Sequence, residues 1–129
     1  MQISEMTRII LETSRRHAGR VVVTYRYPRA MQSGWRGEFD VEIWDLTTSR
    51  IELESALASA LPGSRVGAMS TDGKITITPC YGPVQPRREI AAAVHALAVE
   101  LIGRLDGERS PIAFATRCDG DGAGIEVSR

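Results

Sequence analysis

Apolar residues recur at helical spacing through Pro86 to Leu105, at Ile90, Val94, Leu97, Leu101 and Leu105, and this stretch predicts the chain's clearest amphipathic helix. Its opposite side is also uncharged. Ala92, Ala96, Val99 and Gly103 form a second stripe of small or apolar residues, and between Ile90 and Leu105 only Glu100 and Arg104 carry fixed charge. A helix that is apolar nearly all round is normally covered on both sides. The stripe is therefore expected under residues 3 to 18 or at a two-fold dimer interface, with the other face on a sheet.

Residues 3 to 18 predict a first helix, with Ile3, Met6, Ile10, Thr13 and His17 on one side and Glu5, Arg8, Glu12, Arg15 and Arg16 on the other. Gly19 is placed to end it in a left-handed turn. Arg20 to Tyr27 then alternates, Val21, Val23, Tyr25 and Tyr27 against Val22, Thr24 and Arg26, which is strand periodicity. Glu38 to Leu46 alternates in the same way. Phe39, Val41 and Ile43 face one side, and Glu38, Asp40, Glu42 and Trp44 give the other an acidic surface.

Ser49, with Glu52 three residues on, is a capping-box pattern that opens a short helix through Ile51, Leu53, Leu57, Ala60 and Leu61, before Pro62 and Gly63 stop it. Arg65 to Met69 and Lys74 to Pro79 flank Asp72-Gly73, a hairpin signal. Pro79, Pro83 and Pro86 lead into the long helix. Pro111 to Arg117 and Gly124 to Val127 complete the chain as a strand pair around Asp119-Gly120-Asp121-Gly122. No internal repeat is visible.

From Glu38 onward the order strand, helix, strand, strand, helix, strand is the split βαβ arrangement. The expected fold is α+β: a ferredoxin-like antiparallel sheet packed by helices, extended by an N-terminal helix and by flanking strands before and after. Residues 1 to 129 suffice for one globular domain, and 43% hydrophobic residues can build a core without metal or disulfide staples.

Sixteen basic residues balance sixteen acidic ones, so no global field holds nucleic acid or an anionic membrane. No apolar run approaches the roughly 20 residues that span a bilayer, and no membrane partner is expected. Fifteen of the basic residues are Arg and only Lys74 is Lys. Cys80 and Cys118 are the only cysteines and no signal peptide is recognisable, so a cytoplasmic location and unpaired thiols are expected.

Candidate chemistry is sparse. The run SRVGAMS (64 to 70) and the run KITITP (74 to 79) hold no aromatic residue, so the stacking platform of an RNA-recognition sheet is missing. Asp119, Asp121 and Glu126 lack the spacing of a calcium loop, and Asp-Gly repeats suit a hairpin turn. His17 and His95 are the only histidines; with two distant cysteines they do not make a zinc set, and no nucleophile elbow is present. Neither cofactor, metal nor catalysis is expected.

What stands out is a local mixture in the connection Pro28 to Gly37 and the strands beside it. Tyr25, Tyr27 and Trp35 with Arg26, Arg29 and Arg36 combine stacking with phosphate-binding residue types. Glu38, Asp40 and Glu42 follow at once and oppose a nucleic-acid track. Trp, Tyr, Arg and Met are also the types enriched in protein interfaces. The expected partner-binding set is Tyr25, Arg26, Tyr27, Arg29, Met31, Trp35, Arg36, Glu38, Asp40, Glu42 and Trp44, with Trp35 either an anchor held out for a partner or a lid over the core. The expected function is non-catalytic protein binding, as in small inhibitors, immunity proteins or adaptors acting on larger complexes, bacterial or phage defence systems included. A nucleic-acid accessory protein using the hairpin from 25 to 36 is the alternative, and a cryptic small enzyme comes third.

Overall fold

Three helices lie on one face of a six-stranded antiparallel sheet in the computed structural model, which describes residues 2–27, 37–79, 87–108, 113–119 and 122–128. The chain runs α1 (Ile3–Arg15), β1 (Ala18–Arg26), β2 (Glu38–Leu46), α2 (Arg50–Ala60), β3 (Arg65–Val66), β4 (Lys74–Thr78), α3 (Arg87–Glu108), β5 (Ala113–Asp119) and β6 (Gly122–Ser128). This is a helix followed by an antiparallel hairpin, three times over. The sheet order β3-β4-β2-β1-β6-β5 sets the first hairpin at the centre and one of the others on each side. A repeat of architecture is thus present where the sequence displays none.

The α+β class and antiparallel sheet are as expected, and the ferredoxin-like order is not. β3, β4 and β2 follow the split βαβ pattern, but the strand after α3 should then lie beside β2. β1 holds that place, in register with β2 from Ala18↔Leu46 to Arg26↔Glu38 and with β6 from Arg20↔Ser128 to Arg26↔Gly122. The strand expected as a flanking addition is therefore central. The reason lies in Val21-Val22-Val23: all three are buried, and a strand apolar on both faces belongs inside a sheet rather than at its edge.

Register builds the core in rows. Val127, Val21 and Ile43 form one; Ile125, Val23, Val41 and Ile75 a second; Ala123, Tyr25, Phe39 and Ile77 a third. All are buried in a single cluster with Ile3, Met6, Ile10 and Leu11 of α1, Leu53 and Leu57 of α2, and Ile90, Val94, Leu97 and Leu101 of α3. Tyr25 packs on Phe39 with ring centroids 4.9 Å apart and meets Tyr27 edge-on at 6.1 Å. Burial holds the Tyr25 phenol above its ordinary pKa, with the neighbouring Tyr27 adding to the shift.

The helices obey their local signals with some shifts. α1 stops at Arg15 and Gly19 lies inside β1, because Thr47 N–H donates to the His17 carbonyl at 2.8 Å and draws the chain into the sheet. Leu11, Thr7 and Ser14 face the core, whereas Thr13 and His17 are only half-buried. Ser49 caps α2 as its sequence implies, its hydroxyl accepting from Glu52 N–H at 3.1 Å. Leu53 and Leu57 of α2 are buried and Ile51 is exposed.

Of the two covers expected for the outer stripe of α3, residues 3 to 18 are not the one. Ala92 and Ala96 are exposed and Val99 is 56% exposed, so α1 does not cover them; Gly103 lies further along α3, outside the residues whose burial is described. α1 packs beside α3 instead of on top of it. Their contact includes an ion pair in which both Arg8 guanidinium nitrogens donate to Glu100, at 3.0 and 2.8 Å, and that bond raises the Arg8 pKa. Both helices can then reach the sheet, which a stacked arrangement would deny to α1.

Candidate binding face

With every helix on one side, the other side of the central strands carries the even-numbered residues. Arg20, Val22, Thr24 and Arg26 come from β1, Glu38, Asp40, Glu42 and Trp44 from β2, Lys74 and Thr76 from β4, and Gly124 and Glu126 from β6. Strand alternation alone sorts them there. Beyond Trp44 the alternation breaks: Asp45 takes a left-handed φ of 57°, and Leu46 packs against the core while Trp44 stays outside.

Two arginines organise this face. Arg26 pairs with Glu38 and, through Nε, with Asp40 at 2.8 Å. Arg20 donates through Nε to Glu126 at 2.6 Å, while its guanidinium carbon sits 5.1 Å from the centroid of the Trp44 ring. An indole at 49% exposure is thereby held in one place by a cation over its face. Val22 lies between these clusters, buried yet outside the helix-side core.

The charge census decides what such a face attracts. Arg20, Arg26, Lys74 and, from β3, Arg65 give four positive charges and Glu38, Asp40, Glu42 and Glu126 four negative ones, a net of zero over β1 to β4 and β6. The guanidinium of Arg26 is already shared between two carboxylates. A backbone phosphate would have to displace them.

The expected binding residues divide three ways. Arg26, Glu38, Asp40, Glu42 and Trp44 are brought together on this face. Tyr25 and Tyr27, at 3% and 6% exposure, point into the core and are removed from the set, because odd positions of β1 face the helices. Arg29, Met31, Trp35 and Arg36 lie outside the described residues. Arg20 and Glu126 belong to the cluster and were missed. The signal for Arg20 was its parity with Arg26 in β1, but nothing local reveals that Glu126, 106 residues away, is its partner.

Nδ1 of His17 lies 2.7 Å from the Thr48 hydroxyl. Among the described residues no three of His, Cys, Asp and Glu cluster as a metal site, and no helix is long and apolar enough to cross a membrane. Cys80, Gly120 and Asp121 are outside the described residues. No protein-family model matches the chain, and no curated protein or solved structure matches it.

Proposed function

We propose that this chain is a non-catalytic protein-binding module, inhibitor- or adaptor-like, whose contact surface is the helix-free face of the sheet. The observation that carries the reading is Trp44, half-exposed and clamped under Arg20 beside an ordered set of ion pairs. Such an indole offers a large apolar surface whose conformational entropy is already reduced, the property of an interface anchor. The paired charges around it suit the polar rim of a protein interface. They suit nucleic acid less, since the face carries no net positive charge and its best-placed guanidinium is neutralised internally.

Trp44→Ala is the test. Loss of the anchor weakens partner binding by about 2 kcal/mol, roughly thirtyfold, while the half-exposed site leaves the fold intact. Titration calorimetry with the partner recovered from the native cell reads the affinity, and a thermal melt of the same variant reads the fold. Affinity should change little with salt. A steep linear fall of log K with log salt, or wild-type affinity in the Trp44 variant, overturns the reading.

A further inference from the structure

Strand β5 is the last strand of the sheet, and it pairs with β6 one residue for one from Ala113↔Ser128 to Asp119↔Gly122 without a bulge. Seven residues of regular antiparallel strand leave an alternating row of N–H and C=O groups facing outward. Among the described residues, no backbone hydrogen bond reaches that outer side. The opposite edge of the sheet is different, since β3 is only two residues long. Short strands, Pro, bulges and charged side chains, Lys above all, are common means of blunting an edge, and β5, AFATRCD, has neither Pro, Lys nor bulge, its charges being Arg117 and Asp119 in its second half.

The layer above this edge is a helix flank of small residues. α3 packs on β5 and β6, and its neighbour among the helices is α1, on the side marked by the Arg8–Glu100 pair. At 3.6 residues per turn, Ala91 stands on the far side of the helix from Glu100, with Ala98 and His95 next to it, while Val99 turns outward. Ala98 is buried, Ala91 half-buried and His95 exposed, and residues 90 to 99 contain no Asp, Glu, Lys or Arg.

We propose that two copies of the chain join at this edge, β5 pairing antiparallel with β5 of the second copy and α3 packing against its counterpart. Spacing is what identifies the occupant. Strands lie about 4.8 Å apart, so helices seated over the β5–β6 midline of each copy come to rest about 10 Å apart across the two-fold axis, the distance of packed helices. A lone extended peptide would satisfy the strand and leave the helix flank bare. A partner must carry a helix at the same height above its own edge strand, as the chain itself does.

The extent of the contact is adequate. A seven-residue strand runs about 24 Å and a 22-residue helix about 33 Å. With a contact strip about 10 Å wide along each, every copy buries on the order of 600 Å², the lower end of the range for a stable dimer. A formal net charge of zero imposes no general repulsion between copies. The two sheets then become one, and the helix-free faces of both copies form one continuous surface. This arrangement is independent of what that surface binds.

Sedimentation of the purified chain at high micromolar concentration tests the proposal, the expected mass being twice the 14.1 kDa of one chain. The double variant Ala91→Glu and His95→Glu should weaken the dimer at least about tenfold, because it sets unpaired charges against their copies across the axis. Hydrogen exchange of the wild-type chain supplies a second reading that does not depend on the variant folding. Pairing on both edges protects consecutive amides from 113 to 119, whereas a free edge leaves alternate amides fast. A monomer, or a dimer with alternate fast amides in β5, overturns the proposal.

Discussion

Replacing Phe39 with alanine is expected to lower the free energy of unfolding by about 3–5 kcal/mol, as for deletion of a fully buried aromatic side chain. Phe39 has no exposed surface, and its ring lies tilted at 59° against Tyr25. It sits in the row where β6, β1, β2 and β4 meet, between Tyr25 on one side and Ile77 on the other. The cavity cannot close by moving a single side chain, since the flanking positions are fixed by two strand ladders. Denaturant unfolding followed by circular dichroism reads the loss. A midpoint shift equivalent to less than about 1 kcal/mol, the scale of a surface substitution, would contradict this placement of the core.

Gly37→Ala is the second large effect, and its cause is backbone geometry rather than lost packing. Gly37 enters β2 at φ +84°, a left-handed angle that costs a side chain energy. A Cβ there would also stand 2.5 Å from the Arg26 carbonyl oxygen and 2.7 Å from Cζ of Tyr25, both far inside contact. A carbonyl within β1 and a ring locked in the core have little room to yield. Strain and clash together should cost about 3 kcal/mol, each falling in the 1–3 kcal/mol range for its kind. The next residue, Glu38, pairs with Arg26, so the same variant should disturb that corner of the open face. Thermal melting of Gly37→Ala beside Gly34→Ala measures the effect against a glycine from the preceding connection. Equal melting temperatures for Gly37→Ala and the parent chain would count against the left-handed turn.

Periodicity carried most of the elements because local physics decides them. The alternation from Glu38 to Trp44 survives in β2, and the Ser49 hydroxyl makes the cap that Glu52 announces. Sheet order was less legible. Pairing depends on contacts between distant segments, and only the run Val21-Val22-Val23 hinted that β1 is central. The long helix left its cover open for a physical reason: an apolar stripe says that something must cover a face, not whether the cover lies in the same chain, and the structure removes only residues 3 to 18 as that cover. In the binding face, strand parity placed Glu38, Asp40, Glu42 and Trp44 together. The assignment of Tyr25 and Tyr27 to a contact surface failed because composition was weighed across the hairpin without sorting its two faces.

Site-specific photo-crosslinking in the cell that makes this chain tests the central claim most directly. The reactive group is placed either at Thr76, exposed on the helix-free face, or at Ala58, exposed on α2. The account predicts a discrete protein adduct from Thr76 that is lost in the Trp44→Ala background, with none from Ala58. Adducts from Ala58 alone, or nucleic-acid adducts from Thr76, would contradict it.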